Sequence, residues 1–107
     1  MNYTISQIDQ IVNALSVQGH SESSIQSVYI DTRQITIPDN ALFVAIETAK
    51  NDGHKFIGDA YKKGIRHFLV HSISDEWNYP DACFILVQNT LKALHQLAQY
   101  HKRQFSI

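Results

Sequence analysis

Two polar clusters in the first half of the chain carry residue types able to bind or react. Asp31-Thr32-Arg33 closes one strand-like run, and Asn51-Asp52-Gly53-His54 follows the next. The Thr32 hydroxyl, with the backbone N–H groups around it, suits a ligand carbonyl or phosphate. The same residues serve equally to close a turn, with Arg33 pairing to Asp31 or Asp52, and on the residues alone that structural role is the commoner one. Arg33, a planar fork, and Lys50, a point charge, could together neutralise a diphosphate, although solvated surface charges are more frequent than such pairs. Asp52 and His54 could form an acid–base or orienting pair. Two positions apart beside a glycine, they more often hold the loop's own backbone.

Metal chemistry is not expected. His67 and His71 are four apart on a strand, about 13 Å at 3.3 Å per residue, too far to share an ion. His95 and His101 are six apart on a helix. There is no Walker A sequence, no G-x-S-x-G and no G-x-G-x-x-G, so the usual signatures of phosphate chemistry and covalent catalysis are missing and no catalytic residue is assigned. Cys83 lies in the apolar run CFILV and reads as a small buried hydrophobe.

The elements that must position the two clusters follow from periodicity. Ile8, Ile11, Val12 and Leu15 mark an amphipathic helix with a cap-like Ser6 and Asp9, ending near Gly19. Ile25 to Ile30 reads as a strand running into Asp31. Pro38-Asp39-Asn40 is a turn signal, and the continuous apolar run Ala41 to Ile46 suits a strand covered on both faces. Ligands of such sheets sit beyond the carboxyl ends of the strands. Past the polar loop ETAKNDG, whose Gly53 is expected to allow a backbone conformation other residues resist, Phe56, Ile57, Ala60 and Tyr61 give a short helix closed by Gly64. Arg66 to Val70 is the next strand, which completes a right-handed βαβ unit. After a loop around Pro80 come the strand CFILV and a long helix capped by Asn89 or Thr90. That helix has Leu91, Leu94, Leu97 and Ala98 as its stripe, Phe105 as a late contact, and Lys102 and Arg103 near its carboxyl end. The fold class is therefore α/β: a small three-layer-like domain with a mainly parallel sheet, one βαβ crossover and flanking helices.

Composition bounds the function. At 107 residues, 44% hydrophobic and 18% charged, the chain is one ordinary globular domain, 1–107. It is large enough to remove roughly two-thirds of its unfolded surface from water without disulfides or metal. A formal net charge of -1 with no basic run argues against nucleic-acid binding. The amino terminus lacks a signal peptide and no apolar stretch is long enough for a membrane span, so the cytoplasm is the expected location. A single cysteine fits a reducing compartment.

Asp31-Thr32-Arg33, the proline turn, Leu42-Phe43-Val44-Ala45-Ile46, then Asp52-Gly53-His54 and Phe56 resemble the D-[ST]-R…P-G-x-L-F-x-A-L-x-G-x-x-x-D-G-H-x-F pattern that opens the Mur ligases of peptidoglycan synthesis. Val87 to Ala98, VQNTLKALHQLA, resembles that family's V-x-D-T-x-x-A-L-x-x-L-A. The resemblance is to the amino-terminal domain of the members adding the third residue or the terminal D-alanyl-D-alanine. It implies a domain that holds the uridine diphosphate end of UDP-N-acetylmuramoyl-tripeptide and needs no cofactor itself. The central domain, which binds ATP and magnesium, and a third domain would perform the ligation elsewhere in the parent enzyme. Carried over by position, Ile30, Thr32, Ala49, Lys50 and Asn51 would contact the nucleotide. Arg33, Asp52, Gly53 and His54 would shape the loop.

Three departures from the family pattern are visible. The turn 37–41 is one residue longer and lacks the glycine usual after proline, Thr48 stands where glycine is frequent, and Asn89 where aspartate is frequent. These resemble the D-alanyl-D-alanine-adding member fused to an alanine racemase, which makes that member the preferred assignment over the third-residue ligase and the racemase a candidate partner. The family's ATP-binding G-x-x-G-K-[ST] loop would begin near a segment like RQFSI, so the chain is expected to be the substrate-binding part of a longer ligase, unable to ligate alone. A stand-alone α/β interaction module and a small hydrolase using Asp31, Asp52 and His54 are the rival readings.

Overall fold

From Ala41 to Ala45 every residue is fully buried, as a strand covered on both faces requires. The computed structural model describes residues 2–19 and 21–105, with side chains through residue 102. In chain order the elements are β1 (Tyr3–Thr4), α1 (Ile5–Val12), β2 (Ser16–Gln18), β3 (Ser24–Ile25), β4 (Ser27–Tyr29), β5 (Ala41–Val44), α2 (Ile57–Lys62), β6 (His67–Val70), β7 (Cys83–Leu86) and α3 (Thr90–Phe105). Two 3-10 turns, Thr32–Gln34 and Gly53–Phe56, follow β4 and β5.

The main sheet has the order β2-β7-β6-β5-β4. Strands β4 to β7 pair in parallel, and β2 adds to the β7 edge antiparallel. β5, α2 and β6 form the expected crossover unit. Alternate residues of the parallel strands point to opposite layers. Leu42, Val44, Leu69, Cys83 and Ile85 pack with Ile8, Val12, Ala93 and Leu97 of α1 and α3. Ala41, Phe43, Phe68, Val70 and Phe84 pack with Ile57 and Ala60 of α2 and with the segment after β6, through Ile73, Trp77 and Tyr79. Each fully buried Leu, Ile or Phe here contributes roughly 1.5–3 kcal/mol relative to exposure. The three-layer α/β fold stands as expected, and Cys83 is buried in it.

Several boundaries differ from expectation. Helix α1 starts at a capping box of Thr4 and Gln7 rather than at Ser6 and Asp9, which brings Ile5 as well as Ile8 and Val12 into the core. It ends at Asn13 in the left-handed conformation (φ 53), well before Gly19, because the chain must turn back to lay β2 on β7. Leu15 is consequently exposed. The strand expected from Ile25 to Ile30 is two: β3 pairs with β1, and β4 joins the main sheet, with the Gln26 N–H donating to the Asn40 carbonyl between them. The strand expected from Arg66 begins at His67, and Arg66 instead donates to the Tyr61 and Ile65 carbonyls.

On α3 the buried line is Thr90, Ala93 and Leu97, with Leu94 at its margin, while Leu91 and Ala98 are exposed. Those two share a line rotated by about 100° from Thr90 and Leu97, the angle of one helical residue. Asn89 caps this helix, its side-chain oxygen accepting the Lys92 N–H at 3.0 Å. The contact expected of Phe105 and the side chain of Arg103 lie outside the described residues, as does His20. Among the described residues no helix is long and apolar enough to cross a membrane.

Candidate functional site

Strand β4 delivers the chain to Ile30, whose side chain is exposed, and then to Asp31. The Asp31 carboxylate caps the 3-10 turn by accepting the Arg33 N–H at 2.9 Å, and it grips the Arg33 guanidinium at 2.7 to 3.2 Å. Those side-chain hydrogen bonds, then the bond from the Arg33 N–H, hold the Asp31 carboxyl at about 2. Arg33 is thus committed to Asp31, one of the two partners open to it on the residues alone. Thr32 is buried. Its carbonyl accepts from Lys63 Nζ at 2.8 Å.

The second wall is a short hairpin beyond β5. Gly53 N–H donates to the Ile46 carbonyl at 2.7 Å and Thr48 N–H to the Asn51 carbonyl at 2.6 Å. The Thr48 hydroxyl binds the Asn51 backbone on both sides, donating to the carbonyl and accepting the N–H. Ala49 and Lys50 are therefore the exposed tip. Gly53 is required by close approach, not by an unusual φ: a Cβ there would lie 2.7 Å from the Ile46 nitrogen and 3.0 Å from Ala45 Cα.

Between these walls, at the carboxyl ends of β4 and β5, lies a cavity of about 550 Å³. Of the residues expected to touch a nucleotide, Ile30, Thr32 and Asn51 line it, as do Arg33 and Gly53 from the loop-shaping set; Ala49 and Lys50 are not in its wall. Asp31, Ile46, Thr48 and Phe56 complete the lining. Of these, Ile46 and Phe56 read as packing residues in the sequence, and Thr48 as a departure from the family pattern. The position of Phe56 two residues after His54, inside a polar motif, was the available signal. The cavity sits where sheet ligands usually sit, with no reversal of strand order beside it; the hairpin supplies the missing wall.

Asp52 and His54 face away from this lining and brace it. The Asp52 carboxylate accepts both the His54 N–H at 3.0 Å and the His54 Nδ1 proton at 2.6 Å. Burial opposes ionisation of Asp52, yet these bonds together hold its carboxyl below the ordinary range. His54 Nε2 accepts the His71 N–H at 3.1 Å. Both ring nitrogens are thereby occupied, which leaves His54 no free nitrogen to act as a general base.

His71 lies over His54, with ring centroids 4.1 Å apart, and its Nε2 is 2.6 Å from Glu47 Oε2 as an ion-pair contact whose angles fall short of a hydrogen bond. Asp52, His54 and His71 do bring ligand atoms within 4.8 Å of one another, a closeness the spacing of His67 and His71 did not foretell. A metal does not suit this set: bound at Nδ1 it would force the proton onto Nε2, where the His71 N–H already points. His67 faces elsewhere, its Nε2 2.7 Å from the Ser21 hydroxyl.

A sequence profile of the Mur ligase family, catalytic domain, matches residues 24–102. The chain is 40% identical over 78 residues to the UDP-N-acetylmuramoyl-L-alanyl-D-glutamate--2,6-diaminopimelate ligase of Clostridium perfringens, covering 73% of this chain and 15% of that protein. It is 35% identical over 83 residues to the UDP-N-acetylmuramoyl-tripeptide--D-alanyl-D-alanine ligase of Buchnera aphidicola, covering 76% of this chain and 17% of that protein. The chain thus spans less than a fifth of these relatives. Crystal structure I of MurF from Acinetobacter baumannii superposes with a TM-score of 0.84 over 99% of this chain and 22% of its own, at 20% identity, a likeness of fold.

Proposed function

Because this chain belongs to the Mur ligase family, we propose that the cavity beyond β4 and β5 holds the uridine diphosphate end of UDP-N-acetylmuramoyl-tripeptide, as the substrate-binding part of a cytoplasmic, ATP-dependent ligase that adds D-alanyl-D-alanine to peptidoglycan precursors. The observation that carries the reading is that Ile30 and Thr32, which follow β4, and Asn51, which follows β5, line one cavity. Ile30 and Phe56 offer exposed apolar surface for a flat base, and Thr32, Thr48 and Asn51 offer hydrogen-bonding groups beside it. Ala49 and Lys50 enter this reading from the exposed hairpin tip, outside the cavity wall.

Residues 1–107 contribute no catalytic group in this reading. ATP and magnesium belong to a central domain of the parent enzyme, and no glycine-rich phosphate loop is present here to hold them. The longer turn at 37–41, Thr48 and Asn89 favour the D-alanyl-D-alanine-adding member, the form in which a fused alanine racemase would be a further partner. A second reading, the third-residue ligase, is favoured by the 40% identity to a diaminopimelate ligase. The two share the nucleotide end of the substrate, so the cavity serves either.

Titration of the chain with UDP and with UDP-N-acetylmuramoyl-tripeptide, followed by amide shifts, tests the binding role. Shifts centred on Thr32, Asn51 and Phe56 are expected, the same for the shared UDP portion. A spectrum unchanged at millimolar ligand would leave the stand-alone interaction module as the better description. Radiolabel incorporation by the full-length ligase, offered D-alanyl-D-alanine or diaminopimelate with ATP, separates the two members.

A further inference from the structure

The turn that presents Thr32 is a 3-10 turn of three residues. Its local bonds all return to Asp31 and Thr32 themselves. One bond arrives from far along the chain, the 2.8 Å contact from Lys63 Nζ to the Thr32 carbonyl, across a separation of 31 residues. Lys63 is the residue at which α2 ends, its N–H bonded back to the Asp59 and Ala60 carbonyls.

The position of that helix end is itself defined. Gly64 adopts φ +108, and a Cβ there would lie 2.9 Å from Pro38 Cγ and 3.1 Å from Pro38 Cβ. The missing side chain lets the end of α2 press against a rigid proline in the segment that follows the turn. This docking brings the Lys63 stem alongside Thr32. The charges are also uneven. Asp31 and Arg33 cancel one another in a bidentate pair, so of the three groups the Lys63 ammonium is the surplus positive charge. It spends one of its three donors on the carbonyl.

We propose that Lys63 is a positioning residue for the nucleotide: it fixes the Thr32 carbonyl so that the Thr32 hydroxyl faces the cavity, and it gives the turn the net positive charge a diphosphate meets. This inference rests on the cavity being a uridine diphosphate site. A role in folding alone would leave affinity untouched once the domain is folded. A positioning role shows in the ligand.

The experiment compares the chain with its Lys63→Met and Lys63→Arg variants, titrating each with UDP and with uridine while recording thermal unfolding. Lys63→Met is expected to bind UDP about tenfold more weakly, the scale of one charge-assisted hydrogen bond. Its loss for uridine should be smaller, and Lys63→Arg, which keeps a charged donor, should recover most of the affinity. Should Lys63→Met fail to fold, Lys63→Gln, neutral but still a donor, enters the same comparison. UDP binding by the folded neutral variant equal to that of the parent chain overturns the inference and leaves the cavity assignment standing. Equal losses for UDP and uridine, unrescued by arginine, likewise overturn it, since the loss would then not depend on the Lys63 charge or on the diphosphate. No UDP binding by the parent chain would remove the cavity assignment and the inference with it.

Discussion

His54 Nε2 accepts the backbone N–H of His71 at 3.1 Å, which joins the turn after β5 to the chain leaving β6. An accepting Nε2 places the proton on Nδ1, where Asp52 takes it at 2.6 Å. The tautomer is therefore fixed by two partners, and the pair holds the base of the hairpin that forms one wall of the cavity. His54→Ala would leave the His71 N–H and the Asp52 carboxylate without their partners, a loss of about 1–3 kcal/mol. Urea denaturation of the variant measures it. A variant as stable as the parent would mean that the relay is not holding the hairpin. The same geometry predicts no ATP-independent hydrolase activity, because neither imidazole nitrogen is available as a base.

Asp31 titrates far below an ordinary carboxyl, at about 2 against 3.8, with the Arg33 side-chain hydrogen bonds as the largest cause. A depressed acid contributes stability that is fully present above pH 3.8 and is lost as the pH falls from there through about 2, as the folded carboxylate is forced to protonate. The pair is exposed on the Arg33 side, so salt screens its Coulombic part and spares the hydrogen bonds. Carbon NMR of the Asp31 carboxyl follows this directly. In Arg33→Gln the midpoint is expected to climb toward 3.8. An unmoved midpoint would assign the depression to something other than Arg33.

Much of this layout was legible in the residues because it is local or strongly periodic. The buried strand announced itself as a continuous apolar run, and the polar clusters bracketed it. Strand β2 could not be read that way: Ser16-Val17-Gln18 is short and polar, with only Val17 partly covered, and it is a strand because Leu86, Ile85 and Phe84 pair with it. The Thr4 cap was hidden for a related reason. Thr4 with Gln7 and Ser6 with Asp9 both satisfy a local capping rule, and the burial of Ile5 decides between them. In the site, Thr32 and Asn51 stood out by type, whereas Lys63 comes from another element and Phe56 reads equally well as core. Lys50, expected at the nucleotide, stands on the tip that the Thr48–Asn51 hydrogen bonds form, which no local sequence signal marks.

His67 is buried at the start of β6, and burial pushes its imidazole below 6.5, partly offset by the Ala41 backbone. The sign follows from linkage. The unfolded histidine protonates first as the pH drops, so the stability is complete above 6.5 and declines as the pH falls from there through the lower folded value. Denaturation midpoints at about pH 7.5 and 5.5, on either side of the ordinary histidine value, should differ more for the parent chain than for His67→Gln, which cannot titrate. Equal pH sensitivity in the two would show that His67 is not the group responsible. The Ser21 hydroxyl, 2.7 Å from Nε2, loses the imidazole in His67→Gln, so loop 21–23 should loosen first in hydrogen exchange of that variant.

Gly53 and Gly58 allow a test of close packing with opposite expected signs. A Cβ on Gly53 meets the Ile46 nitrogen at 2.7 Å and Ala45 Cα at 3.0 Å, both backbone atoms of the segment leaving β5 that cannot step aside. Gly53→Ala must therefore stretch the 2.7 Å bond from Gly53 N–H to the Ile46 carbonyl and separate two residues that line the cavity. The expected cost is about 1–3 kcal/mol from overpacking, with weakened UDP binding beside it. Gly58, inside α2, has only the Tyr79 hydroxyl at 3.2 Å, the far end of a side chain that can shift by a few tenths of an ångström. Gly58→Ala should be neutral or stabilising by up to about 1 kcal/mol, the helix preference of alanine over glycine. Thermal unfolding of the two variants side by side decides the matter. If Gly53→Ala were as well tolerated as Gly58→Ala, the backbone contact at Ile46 would not be what sets the shape of the cavity.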